Sequence, residues 1–347
     1  MTVDSLDFLA AVEGLPEQLS DAHRAAGAVD PSLFPRADEI DHVVLCGMGG
    51  SGVTGDIVAS VTNDRLGVPV TVLKQYRMPA FVGPRTLVFA LSYSGSTEET
   101  ESMASAAAER GARIIGVAKG GPIAEIATTA GGLHLACPDG FMPRAALGAL
   151  IAPVFVTLKR SGLLPDAHRE LLAAEAQLRV RRDVCRPAIE GADNIARELA
   201  RKVGRTIPLI YGGGALGGAA AYRWKCDVNE NAKAPAYWNA YPELDHNEIC
   251  AWGQHGDVTR QLLTLIELRH GFEHARLEPR FAITREIIEE AVHQVLEVRA
   301  DGETRLAQLL DLMYVGMWVS CYLALDNDVD PGPVPAIFTL KDRLAAL

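Results

Sequence analysis

The chain lacks paired cysteines, a basic cluster and any long unbroken apolar run, and each absence removes a class of protein. Its six cysteines (46, 137, 185, 226, 250 and 321) contain no C-x-x-C pair, and several lie inside apolar runs. A small buried thiol is the default in such runs, so neither a disulfide frame nor a zinc site is expected. The formal net charge is −11, and no group of Lys and Arg is large enough to track a phosphate backbone. That argues against a nucleic-acid partner, and it means that an anionic substrate needs a locally positive pocket on an acidic body. Residues 1–7 have neither a basic flank nor a long apolar core, so no signal peptide is expected. No stretch reaches the ~18 consecutive apolar residues of a membrane span, and the expected compartment is a reducing cytoplasm.

What is present reads as an ordinary globular protein, 48% hydrophobic and 22% charged. At 347 residues it is long for one core, so two domains or a doubled unit is expected. Residues 1–39 read as a helical lead-in, with Leu6, Phe8, Leu9 and Val12 at helical spacing and Pro31 and Pro35 near its end. Apolar runs at Asp41–Cys46, Val68–Leu73, Thr86–Leu91, Ala112–Val117 and Leu133–Cys137 read as strands, separated by helical stretches. That alternation predicts a parallel sheet covered on both faces. After a long charged helix (Ala167–Arg186) the pattern restarts: Ile207–Tyr211 runs into Gly212–Gly218 as Asp41–Cys46 runs into Gly47–Gly52. A later strand is expected at Gln261–Leu268, then a long helix at Thr304–Leu325 and a closing helix after Pro335. The expected architecture is a duplicated α/β unit with its boundary near residue 160, giving 40–160 and 161–347 as the two halves.

Both glycine turns, Gly47-x-Gly49-x-x-Gly52 and Gly212-x-Gly214-x-x-Gly217, match a dinucleotide fingerprint as letters. The fingerprint also wants an acidic residue at the end of the next strand, and the first turn is followed by Leu73-Lys74-Gln75-Tyr76. The glycines fit better a close backbone approach to a small anion or a tight helix–strand contact, and no cofactor is expected. Ser92, Ser94, Ser96 and Thr97 sit where a strand gives way to a helix. Hydroxyls beside the free amides of a helix N-terminus can hold a phosphate without lysine. The same letters suit a plain capping box, with Ser94 or Ser96 as cap and Glu98 or Glu99 reaching back. Four hydroxyls within so short a stretch favour the phosphate cradle.

A second dense patch runs from Tyr222 to Lys233 and on to Ile249. Glu230 stands between Asn229 and Asn231, and His246 between Asp245 and Asn247. Amide neighbours can orient an acid or base without adding charge, although a surface turn and a loop cap would read the same. His270 and His274 have ligand-like spacing but no third partner, so no metal is expected. Arg144 follows the fifth strand, where an arginine can reach a crevice at the strands' C-terminal ends or simply start a helix.

Cys46–Gly52, Leu91–Glu99, Pro143–Leu147, Asn229-Glu-Asn-Ala-Lys233, His246-Asn-Glu-Ile249 and Leu340-Lys341, taken together and in order, resemble the bifunctional phosphoglucose/phosphomannose isomerases, of the sugar-isomerase (SIS) superfamily. The match spans about residue 40 to the C-terminus. The hydroxyl turn marks only the superfamily; Asn-Glu-Asn-Ala-Lys with His-Asn-Glu-Ile is far more specific. The resemblance implies two flavodoxin-like α/β/α sandwich (SIS) subdomains with parallel sheets, in a homodimer with shared active sites. It implies that Gly50, Ser51, Ser92, Ser94 and Thr97 hold a substrate phosphate and that Glu230 moves a proton between C2 and C1. It further implies that His246, from the neighbouring subunit, and Lys341 assist ring opening, and that Arg144 stabilises the enediolate.

The residue types suit that chemistry: an opened ring, one carboxylate on the C1–C2 edge, and a fixed guanidinium for the developing oxyanion. The chain departs from the family pattern at Gly332, within Asp330-Pro-Gly-Pro333, where relatives commonly have threonine. Ser96 and Asp245 stand where asparagine is usual. A phosphosugar-binding regulator without catalysis would keep the hydroxyl turn but has no use for Glu230, His246, Arg144 and Lys341 together. An isomerase of another phosphosugar is the other alternative.

Overall fold

Five apolar segments carry the first sheet: β1 His42–Gly47, β2 Val70–Leu73, β3 Thr86–Leu91, β4 Arg113–Ala118 and β5 Leu133–Ala136. The computed structural model describes residues 3–344 and residue 346. All four pairings in this sheet are parallel and the strand order is β2-β1-β3-β4-β5. That is the flavodoxin-like order, whose switch point lies between β1 and β3. β3 is buried along its whole length, as a central strand covered on both faces must be. Four more segments, β6 Ile207–Gly213, β7 Tyr237–Tyr241, β8 Leu263–Arg269 and β9 Gln294–Arg299, form a second parallel sheet in the order β7-β6-β8-β9. The second order repeats the first without its last strand, so the doubled α/β architecture read from the sequence is correct.

By contacts the chain forms two compact units, each assembled from separate stretches rather than from one linear half. The first contains Gly14–Leu178 and Gly302–Ala307; the second contains the segment ending at Glu13, Arg179–Asp301 and the chain from Gln308. In the first unit the face made by Val44, Val88 and Ala90 is packed by Met103, Ala104 and Ala107 of the helix Glu98–Glu109. In the second, Leu209, Tyr211 and Leu265 pack with Tyr241 and Phe281. The lead-in is two helices, Phe8–Glu13 and Leu15–Gly27. Phe8 and Val12 are buried as their spacing requires, while Leu6 is exposed.

β7 and β9 are absent from the sequence reading for a physical reason. Tyr237 and Trp238 are exposed on the edge strand, and β9 alternates buried with exposed positions, so neither makes the continuous apolar run of a central strand. The helix Arg305–Asp326 is long and apolar enough to cross a membrane by composition, but 94% of that window is buried within the fold.

Candidate active site

In the first unit, the ends of β1 and β3 present two helix starts side by side. The helix Gly49–Thr62 begins with Gly49 at φ +51°, a left-handed backbone that glycine adopts without strain. Gly50 lies flat against the 3-10 turn Pro143–Ala145: a Cβ there would stand 2.8 Å from the Arg144 Cα. Arg144 itself is 4% exposed. Ser51 Oγ accepts the Tyr93 N–H at 3.1 Å, which joins the glycine turn to the hydroxyl turn and leaves the Ser51 proton to donate.

The hydroxyl turn is organised from within. The Ser92 hydroxyl is buried, lies 2.8 Å from Thr97 Oγ1 and accepts the Gly95 N–H at 3.1 Å. Ser94 is exposed, and its Oγ is 3.4 Å from Ser92 Oγ. Gly95 has φ +78°, and its peptide crosses a second turn so closely that a Cβ would stand 1.8 Å from Gly120 O. Tyr93 fixes the turn from behind, its hydroxyl donating to Pro138 O and accepting the Phe141 N–H, both at 2.9 Å.

The helix begins at Glu98 with Thr97 as its N-cap, and no side chain bonds the cap amides. The capping-box alternative with Ser94 or Ser96 as cap is therefore not what forms, because Ser92 and Ser94 spend their oxygens inside the turn. The nearby lysines are paired with acids, Lys74 with Asp56 and Lys119 with Asp139. Burial raises the Asp56 carboxyl above its ordinary range although Lys74 opposes that shift. The hydroxyl turn thus stands at the N-terminus of the helix Glu98–Glu109, with both nearby lysines engaged by acids. Gly50, Ser51, Ser92, Ser94, Thr97 and Arg144 are brought together here.

Glu230, His246 and Lys341 stand on three separate elements of the second unit, and among the described residues no hydrogen bond or ion pair joins them. The helix Gly214–Asp227 continues into a π-turn, Val228–Ala232, which carries Glu230. Such turns bulge the backbone and recur at functional positions. Both asparagines bond the framework, Asn229 Nδ2 donating to Ala234 O and Asn231 Nδ2 to Ser320 Oγ, each at 2.9 Å. They hold the turn rather than the carboxylate, which refines their expected role. Below it Arg223 and Asp227 form a buried ion pair at 2.8 Å, and Glu230 is among the charges that Arg223 feels.

His246 ends an exposed 3-10 turn, Glu243–His246. The next segment is fastened by Glu248, whose two oxygens accept from Tyr211 and Asn239, each at 2.5 Å. Burial, then the Glu248 carboxylate, raises the Tyr211 phenol above its ordinary value. Sequence reasoning quoted Glu248 only as a letter of the His-Asn-Glu-Ile motif; its signal was a third polar residue beside the histidine. Lys341 is exposed on the helix Pro335–Leu344, beside exposed Phe338 and Leu340.

His270 Nε2 lies 2.9 Å from Gly213 O, and the Nδ1 atoms of His270 and His274 each accept a backbone N–H at 3.2 Å, so this pair organises its own loop. Cys46, Cys137 and Cys185 are buried thiols that burial pushes up to about 12. Gly332 N donates to Asp330 Oδ1 at 3.0 Å, and a Cβ on Gly332 would stand 2.9 Å from the Leu6 Cβ.

Two flavodoxin-ordered sheets, the first bearing a hydroxyl-lined turn at a helix start, define a double sugar-isomerase-domain protein. The fold matches the C-terminal domain of glucosamine-fructose-6-phosphate aminotransferase from Francisella tularensis, with TM-score 0.68 and 14% identity over 93% of this chain and 96% of that one. The family model for the bacterial phospho-glucose isomerase C-terminal SIS domain matches residues 192–344. Bifunctional phosphoglucose/phosphomannose isomerases from Caldicellulosiruptor bescii and Aquifex aeolicus are 35% and 33% identical. The first alignment covers 97% of this chain and 98% of that protein, the second 87% and 90%. The chain belongs to the bifunctional phosphoglucose/phosphomannose isomerase family and is an enzyme of the aldose–ketose isomerase type.

Proposed function

We propose that the chain interconverts glucose 6-phosphate and mannose 6-phosphate with fructose 6-phosphate, without a cofactor or metal. Residues 40–160 would hold the phosphate through Gly50, Ser51, Ser92, Ser94 and Thr97, and residues 161–347 would supply the groups that move protons. The observation that carries the phosphate assignment is the part-buried Ser92–Thr97 hydroxyl pair beside the start of the helix Glu98–Glu109. The C1–C2 end then needs a carboxylate that takes a proton from one carbon and returns it to the other. Glu230 suits that role: it is partly open to solvent, while the asparagines on either side are occupied with the backbone and with Ser320.

Arg144 stabilises the enediolate as a cation that cannot release its own proton. His246 and Lys341 open the sugar ring, the histidine acting on a second copy's substrate. A homodimer is supported by the exposure of both residues and of Ile337, Phe338, Leu340 and Leu344 along one short helix. The reaction needs nothing beyond cytoplasmic metabolites, and the cytoplasm is the proposed compartment. The planar C2 of the intermediate lets one pocket take either epimer, and the missing threonine hydroxyl at Gly332 bears on the balance between them. Coupled assays on both aldoses with wild type and Glu230→Gln test the reading. Turnover of both sugars by wild type and loss of each in the variant is expected; equal turnover by the two proteins removes the base assignment.

A further inference from the structure

Lys233 has no part in the chemistry above, yet its ammonium lies at a junction. Its Nζ donates to Glu230 O at 2.8 Å and lies 3.3 Å from Asn231 O, both at the end of the π-turn. It also donates to Asp330 O at 2.8 Å and Pro331 O at 3.2 Å, in the loop before Gly332. The Lys233 backbone is left-handed, with φ +53°, a conformation that costs a non-glycine residue about 1–2 kcal/mol. The loop is anchored in turn, because Asp330 Oδ2 accepts the Ser5 N–H at 3.2 Å and Leu6 occupies the space beside Gly332. Carbonyls at a helix C-terminus lack intrahelical partners and carry the negative end of the dipole, so a compact cation belongs there.

The Glu230 carboxylate has no comparable anchor: among the described residues no hydrogen bond or ion pair holds its oxygens. Its aim is therefore set by the backbone of its turn, and the carbonyl of that same residue is one that Lys233 grips. We infer that Lys233 is a positioning residue for Glu230, latching the π-turn to the Asp330–Pro331 loop; the inference rests on Glu230 being the base. A planar guanidinium cannot converge on four carbonyls as an ammonium does, so arginine replaces the latch only in part.

The test compares wild type, Lys233→Met, Lys233→Arg and Glu230→Gln on glucose 6-phosphate carrying deuterium or hydrogen at C2, with thermal unfolding of each. Lys233→Met is expected to lose about 10- to 100-fold in kcat with KM within about twofold, since a misplaced catalytic group costs of that order. The C2 isotope effect should rise, because proton transfer becomes the slow step, and Lys233→Arg should fall between. Wild-type kcat and isotope effect in Lys233→Met overturn the positioning role, as does a kcat loss that only tracks the folded fraction with an unchanged isotope effect. Should Lys233→Met fail to fold, Lys233→Arg decides: reduced kcat with a raised isotope effect supports the latch, and reduced kcat with the wild-type isotope effect refutes it. Full turnover by Glu230→Gln refutes the underlying base assignment, whatever the lysine variants do.

Discussion

Replacing Gly316 with alanine sets two effects of opposite sign against each other. In the interior of the helix Arg305–Asp326 alanine is better than glycine by about 1 kcal/mol. The new Cβ, however, would stand 2.5 Å from Cδ1, 2.6 Å from Nε1 and 2.7 Å from Cε2 of Trp224. That indole is fully buried, and its N–H donates to Leu312 O at 2.7 Å, so it cannot swing aside cheaply. Displacing it costs about 1–3 kcal/mol of overpacking and about 1–3 kcal/mol for a buried donor left unpaired. Subtracting the helix gain leaves a net destabilisation of about 3 kcal/mol, or about 6–12 °C in midpoint for a unit of this size. All four tryptophans, 224, 238, 252 and 318, lie in the second unit, so their fluorescence during thermal unfolding reports it. Trp224 sits on the helix that leads into the Glu230 turn, so kcat should fall by about tenfold or more as well. A Gly316→Ala protein as stable as wild type, with unchanged kcat, would refute the reasoning.

Gly95→Ala should cost the first unit about 3 kcal/mol or more, since the left-handed φ and the 1.8 Å approach to Gly120 O both oppose a Cβ. Its KM for the phosphosugar should rise at least tenfold, while a change below about 0.5 kcal/mol in denaturant unfolding would show the turn to be slack. Gly332→Thr should destabilise the second unit by about 1–3 kcal/mol through Leu6, and Leu6→Gly, which removes the Cβ in closest contact, should relieve most of that; additive losses in the double variant would contradict the contact.

Burial first, then His168, lowers the His23 pKa below 6.5, with Lys159 acting the same way and Glu175 opposing. The folded state therefore favours the neutral ring. Its stabilising contribution is complete above pH 6.5 and is lost as pH falls through the lower folded value. His23→Gln should flatten the decline in unfolding midpoint between pH 7 and 5; an unchanged slope would dismiss this group as its source.

The first sheet was legible because its strands are short, mostly apolar stretches near glycine or hydroxyl turns, with only single polar residues such as Thr71 and His134 inside them. β3 matches its expected bounds, and the other four strands differ by only one or two residues at their ends. The second sheet was half legible: β6 and β8 read as strands, whereas the exposed aromatics of β7 and the alternation of β9 hid them. Within the candidate site, Ser51, Ser92 and Thr97 converge through hydrogen bonds that a hydroxyl-rich turn makes expected. Glu230 was legible as a motif letter, but the π-turn that carries it was not, because a single widened helical turn leaves no periodicity to read. Glu248 acts through partners 37 and 9 residues away, and Lys233 ties its own turn to a loop 97 and 98 residues on; pairing at that range has no local signature.

The central claim is that one carboxylate, at position 230, carries hydrogen between C1 and C2. The most direct measurement is the rate at which solvent deuterium enters C2 of the aldose when fructose 6-phosphate is supplied in deuterium oxide, followed by NMR. Wild type should introduce the label, and Glu230→Gln, still binding the sugar, should do so about 10²- to 10⁴-fold more slowly. Labelling by Glu230→Gln at the wild-type rate would contradict the account.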